Sequence, residues 1–283
     1  MKDHNKGILF ILISAILWST GGLFIKILPL DAFQISFARS VFAAGILMVL
    51  SGKSSFRVNK LVALNSLFYA GILILFVAAT KLTTAANAIF LQYTAPIYVL
   101  VFEPLLLKTG FKRKNIYSVL ICFFGMALFF LGDLQPGHLS GNLLALLSGV
   151  AFAAFLIGMR KNGEEYQNST VILGNILIAL LCIGSFEPSL MFQPGNLLMT
   201  AYLGIFQIGT AYFLFNLGLK RVQAIEASLI SMIEPVLNPV WVFIWHGETP
   251  SGWAILGSSV ILTGLIIKTL WFDRRDQKPI LVE

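Results

Sequence analysis

Apolar residues in this chain fall in long unbroken blocks instead of alternating or recurring on one helical stripe. Short polar, glycine- or proline-containing stretches separate the blocks. Ten blocks are found, at residues 7–27, 31–51, 61–80, 84–107, 115–132, 140–160, 169–187, 196–217, 222–245 and 252–271. A helix that crosses a bilayer needs about 20 predominantly apolar residues, and inside lipid only a helix or a closed barrel satisfies every backbone donor and acceptor. The pattern therefore predicts an all-α integral membrane protein of ten transmembrane helices. The breaks carry ordinary stop signals, such as Leu28-Pro29, Ser51-Gly52-Lys53, Gln135-Pro136-Gly137, Gln193-Pro194-Gly195 and Thr249-Pro250-Ser251-Gly252, and none is long enough for a separate soluble domain.

Composition agrees with lipid as the main solvent. Of the 283 residues 57% are hydrophobic and 12% charged, against roughly 25% charged in a soluble domain. A net charge of +7 raises the question of nucleic acid, but the basic residues form no continuous stripe or tail. They sit between the apolar blocks, at Lys2 and Lys6, Lys53 to Lys60, Lys108 to Lys114, Arg160 and Lys161, Lys220 and Arg221, and Lys268 to Lys278, all on one side of the membrane if the blocks alternate. That side collects 17 of the 20 Lys and Arg residues. Only Lys26 and Lys81 fall on the other side, and Arg39 falls within a block. Cytoplasmic loops keep the positive excess, so both termini are expected in the cytoplasm, and an even span count follows independently of hydropathy. The same orientation puts the Asn168-Ser169-Thr170 sequon inside, where it is not glycosylated. The start of the chain looks superficially like a signal peptide, but Ser14 to Ile27 offers no small-x-small cleavage site, so the first helix is expected to be retained. Cys122 and Cys182 each lie inside an apolar block and read as small hydrophobes.

The two halves can be laid over one another. Residues 81–128 align with 220–267 at a constant offset, with Lys81 over Lys220, Ala85 over Ala224, Ala88 over Ala227, Pro96 over Pro235, Val101 over Val240, Ile116 over Ile255 and Gly125 over Gly264. The first and sixth blocks align as well, with Gly7 over Gly141, Leu9 over Leu143, Leu12 over Leu146 and Ser14 over Ser148. Two repeats of five spans, residues 1–132 and 133–283, are the expectation. An odd number of spans in each forces the repeats into opposite orientations, and such inverted repeats hold their solute site near mid-membrane.

These features carry a resemblance to the drug/metabolite transporter superfamily, in its ten-helix form built from two EamA-like repeats. The matching residues are Trp18-Ser19-Thr20-Gly21-Gly22, Phe37-Ala38-Arg39, Ala95-Pro96, Glu234-Pro235 and Gly247-Glu248. The resemblance implies a bundle around a central cavity, alternating access and a substrate drawn from amino acids and related metabolites, commonly exported across a bacterial inner membrane. One departure is visible: Thr109 stands opposite Glu248, so the first repeat lacks the acidic residue found there in many members, and a basic loop from Lys108 to Lys114 occupies the region.

Ionisable residues at membrane depth are the first candidates for function. By a helical rise of about 1.5 Å per residue, Arg39 lies about 12 Å and Glu234 about 16 Å below the outer ends of their spans. Arg39 is a candidate anchor for a carboxylate or phosphate, and Glu234 a partner for an amine or a protonatable coupling group; the plain alternatives are a buried pair between them or bonds to backbone. Pro96, Pro235 and Pro239 remove mid-span donors and leave carbonyls free. Gln92, Tyr93, Tyr98, Gln207, Tyr212 and Asn216 are candidate cavity walls, and Trp18 either stacks on a substrate or packs between helices. Glu103 and Glu226, near basic residues at the cytoplasmic ends, read as snorkelling or surface-paired groups, and Lys26 and Lys81 as boundary anchors. No Walker A loop, nucleophile elbow or H-E-x-x-H motif is present, and His4, His138 and His246 fall at ends or in loops. No enzyme activity, cofactor or metal site is expected. The expected partners are a small-molecule substrate, the bilayer, and a proton or counter-solute that drives the cycle. An exchanger of anionic or phosphorylated metabolites is the alternative, requiring Arg39 and Lys26 or Lys81 to converge, and a lipid-handling membrane enzyme a more distant one.

Overall fold

The computed structural model describes residues 2–52, 56–131, 138–246 and 251–268, and every regular element among them is helical. In chain order these are α1 (Lys2–Ser19), α2 (Gly21–Ile27), α3 (Ala32–Ser51), α4 (Lys60–Leu82), α5 (Ala85–Gln92), α6 (Ala95–Leu107), α7 (Arg113–Phe129) and α8 (Leu139–Lys161). The second half continues with α9 (Gln167–Cys182), α10 (Pro188–Met191), α11 (Pro194–Tyr202), a π-helical stretch at Leu203–Thr210, α12 (Ala211–Leu219), α13 (Ala224–Ser231), α14 (Ile233–His246) and α15 (Gly252–Ile267). Among the described residues seven stretches are long and apolar enough to cross a membrane: Asp3–Ile27, Ala32–Ser51, Lys60–Leu82, Asn87–Leu107, Leu139–Lys161, Glu164–Ser185 and Pro194–Leu219. The apolar Gly252–Ile267 is shorter, and the expected blocks at 115–132 and 222–245 overlap α7 and α13–α14. The chain is a multi-pass, all-helical membrane protein.

Helix starts follow local chemistry. Asp31 accepts from the backbone of Phe33 and Gln34 while the Gln34 side chain accepts from Asp31 N, a reciprocal capping box. Asn59, Thr84 and Ser251 cap α4, α5 and α15. The prolines do not merely kink their spans. Pro96 stands in the first turn of α6, which is separated from α5 at Tyr93 and Thr94, and α13 gives way to α14 at Met232, three residues before Pro235. The ring occupies an N-terminal turn where the missing donor costs little, so the chain breaks before the proline. A break that the sequence did not suggest falls at Thr20, between α1 and α2.

Four antiparallel pairings organise the bundle. Along α4 and α8, Gly158 lies against Asn65, Ser148 Oγ donates to the Ile72 carbonyl at 3.0 Å, and Gly141 lies against Thr83. Along α1 and α12, Gly218 lies against Gly7 and Ile11, and Ser14 Oγ donates to the Ala211 carbonyl at 2.9 Å. The start of α3 meets the end of α9, where Phe37 and Phe186 stack at 5.3 Å and Gln34 reaches Glu187. In α7 and α15 three glycines let the backbones touch, since a Cβ on Gly257 would lie 2.5 Å from the Gly125 carbonyl and one on Gly264 3.1 Å from Cys122 Sγ. Lipid gives no hydrophobic drive for helix association, so this closeness and the buried serine bonds supply it.

Two acidic residues expected at the surface are buried. Glu103 is 6% exposed and its two carboxylate oxygens accept from Ala224 N and Ile225 N, each at 3.0 Å, at the start of α13. Glu226 is 4% exposed and pairs with His4 at 3.0 Å. The sequence pointed to neighbouring lysines and arginines, whereas the real partners are backbone donors and a histidine from distant elements. Glu103→Gln keeps the shape but offers one acceptor for two buried donors; a loss of about 1–3 kcal/mol is expected, read as a lower melting temperature of the detergent-solubilised protein.

Candidate functional site

Gly204 and Gly209 bring the π-helical stretch against α3: a Cβ on Gly204 would lie 2.5 Å from the Arg39 carbonyl, and one on Gly209 would run into Ile46. This contact puts Gln207 and Arg39 on neighbouring walls. Gly21 completes it, because a Cβ there would lie 2.5 Å from Gln207 Nε2, and Gln207 Nε2 donates to the Trp18 carbonyl at 3.4 Å. Such π-helical turns are frequent at functional sites. The Trp18-to-Gly22 motif is thus a helix break, a close approach for Gln207 and an aromatic wall in one segment.

A cavity of about 420 Å³, open space at its mouth included, lies among these elements. Its polar lining is Trp18, Arg39, Gln92, Tyr93, Gln207, Tyr212 and Glu234; Ile72, Leu73, Phe76, Phe152 and Ile208 complete it. Seven of the nine candidate cavity residues therefore share one space. The other two do not line it. Tyr98 is half-buried further along α6, and Asn216, one turn beyond Tyr212, donates to Asn168 Oδ1 at 3.0 Å. The apolar lining residues gave no sequence signal, being indistinguishable from core.

Arg39, 1% exposed, donates from Nη2 to the Leu73 carbonyl at 3.0 Å, while its Nε has no partner among the described residues. Glu234, in the first turn of α14, accepts from the Tyr93 hydroxyl at 2.5 Å. No ion pair joins Arg39 and Glu234, so each of these charges keeps its own hydrogen-bond partner. The Tyr93 hydroxyl is also 2.8 Å from the Ser231 carbonyl. Pro235 lacks the N–H that would bond this carbonyl within the helix, and the single Tyr93 proton is shared between it and the Glu234 carboxylate. Gln92 donates to Ser148 Oγ at 2.8 Å, which itself bonds the Ile72 carbonyl. Pro239 lies in α14, and its side chain, like Gly247 and Glu248, lies outside the described residues.

Aromatic rings cluster at one end of the cavity. Trp18 packs against Tyr212 at 4.9 Å and Phe215 at 5.0 Å, and Tyr69 against Tyr212 at 4.8 Å and Phe155 at 5.5 Å. Tyr69, Phe155 and Phe215 lie towards the ends of α4, α8 and α12 that carry Lys60, Lys161 and Lys220. At the opposite end Lys26 Nζ bonds the Thr80 and Thr83 carbonyls at 3.1 and 3.3 Å, and Lys81 Nζ bonds the Leu28 carbonyl at 2.9 Å. Neither lysine lines the cavity, so their convergence with Arg39 is not found.

The model of the EamA-like transporter family matches this chain twice, at residues 5–131 and 139–270. The chain belongs to the EamA-like transporter family. Among the relatives of this EamA-like transporter, an uncharacterized transporter of Archaeoglobus fulgidus is 25% identical, with 91% of this chain and 94% of the relative covered. The threonine/homoserine exporter RhtA of Salmonella typhimurium is 26% identical over 78% of this chain and 76% of its own. A solved crystal structure shares the fold with a TM-score of 0.80 at 19% identity, covering 94% of this chain and 98% of that one.

Proposed function

We propose that this EamA-like transporter is a secondary transporter that moves a small organic metabolite, an amino acid or related amphipathic compound, outward across a bacterial inner membrane by alternating access. The observation that carries the reading is the cavity. Residues 18 to 93 supply seven of its lining residues and residues 152 to 234 the other five, so it lies between the halves. In this reading the chain makes ten spans in two inverted repeats, residues 1–132 and 133–283, with both termini cytoplasmic.

Several observations support the repeats. The family model matches twice. α5 aligned on α13 is the same shift that aligns Pro96 on Pro235, and both pairs break before the proline. The bonds Ser14 to Ala211 and Ser148 to Ile72 are counterparts: Ser14 aligns with Ser148, and the shift that carries Pro96 to Pro235 carries Ile72 to Ala211. The amino acid reading draws support from the name of the RhtA relative. Energy would come from a proton or counter-solute gradient.

The test is transport in proteoliposomes with pooled labelled amino acids and pooled phosphorylated metabolites, with and without a pH gradient. Transport confined to the amino acid pool, with a response to the gradient, is the expected result. Transport confined to the phosphorylated pool would favour the anion exchanger, which the unpartnered Arg39 Nε favours and the carbonyl-bound Lys26 and Lys81 disfavour. No transport of either pool by folded, inserted protein would overturn the reading.

A further inference from the structure

Buried polar atoms in a folded protein are nearly always partnered. Among the described residues, three of the buried side-chain atoms without a partner belong to residues that line this cavity: Trp18 Nε1, Arg39 Nε and Gln207 Oε1. Their residues are 6%, 1% and 6% exposed. Leaving such groups unpaired in a low-dielectric interior is costly, and a ligand that supplies their partners recovers that cost on binding. The three atoms differ in kind. Trp18 Nε1 and Arg39 Nε can only donate, and the second belongs to a cation; Gln207 Oε1 can only accept. Glu234 adds an anionic acceptor on the same cavity, with Tyr93 bonded to Oε2 and no partner for Oε1 among the described residues.

We infer that the cavity reads both ends of a doubly charged ligand: Arg39 and Trp18 donate to its carboxylate, and Glu234 with Gln207 accepts from its protonated amine. The inference rests on the reading of the cavity as the transport site and adds which group reads which part of the substrate. A ligand with only an anionic group would leave Glu234 facing that charge, and one with only an amine would leave Arg39 facing it. Because Arg39 and Glu234 do not pair with each other, each remains available to a ligand. The rest of the molecule meets Phe76, Phe152 and Ile208, which suits a modest apolar side chain. A site built to hydrogen-bond a group rejects analogues that lack it far more strongly than an apolar pocket rejects a missing methylene.

The experiment measures thermal stabilisation of the purified protein by each of the protein L-amino acids. For every stabilising one it then tests the amine lacking the carboxylate and the acid lacking the amino group, on wild type, Trp18→Phe, Arg39→Gln and Glu234→Gln. At least one amino acid is expected to stabilise wild type, with both truncated analogues at least tenfold weaker. Trp18→Phe and Arg39→Gln are expected to weaken the parent while leaving the amine unchanged, and Glu234→Gln to weaken the parent while leaving the acid unchanged. A merely structural role would weaken all three ligands together. Equal stabilisation by parent and either analogue, uniform losses in the variants, or stabilisation by phosphorylated compounds in place of amino acids overturns the inference. The last outcome leaves the protein a transporter, whereas the absence of transport in proteoliposomes removes the reading beneath both.

Discussion

Glu234→Gln is expected to lower gradient-driven transport at least tenfold and to flatten its pH dependence, with normal protein abundance. The substitution is nearly isosteric, and the amide oxygen still accepts from Tyr93, so the bond that ties α5 to α14 survives. What is lost is a charge on the cavity and the ability to take up and release a proton there. Intramembrane carboxyls that face a cavity are functional groups by default. The check is transport in proteoliposomes over a range of pH, beside quantification of inserted protein. Wild-type rates with an unchanged pH profile would take Glu234 out of the mechanism.

Gly204→Val is expected to act in the opposite way, by reducing folded protein. A Cβ at this position meets the Arg39 carbonyl at 2.5 Å and the Phe42 Cβ, and neither is the free end of a flexible chain. Overpacking of this kind costs about 1–3 kcal/mol, occasionally more, and a β-branched residue adds to it. Relief requires α3 to move from the π-helical stretch, which separates Arg39 from Gln207. The melting temperature in detergent and the yield of monodisperse protein should both fall; a normal yield and melting temperature would mean that the contact is looser than the geometry describes.

Legibility in the sequence divided along physical lines. Spans were readable because lipid demands long apolar blocks, whereas the caps at Asp31, Asn59, Thr84 and Ser251 emerged only with the structure. Arg39, Glu234 and the polar residues near them stood out because polar groups at membrane depth need partners. Tyr98 and Asn216 met the same criterion but do not line the cavity. Helices that are apolar nearly all round conceal which face meets the centre. Phe76 and Phe152 were invisible for that reason. The π-helical stretch left no local trace either, since it depends on how Gly204 and Gly209 fit under α3. Glu103 and Glu226 were assigned to the surface from neighbours in sequence, and their partners lie across the bundle.

The Ser231 carbonyl, released by Pro235 and held by Tyr93 across a separation of 138 residues, also bears on the order of biosynthesis. A membrane helix normally completes its own backbone bonding as it enters lipid, but this one has an acceptor that its own turn cannot fill. The filling hydroxyl is synthesised long before the carbonyl emerges from the ribosome. The early half is therefore already present as a template when the late half arrives, and a chain translated with Tyr93 missing would enter the bilayer with one backbone oxygen unserved.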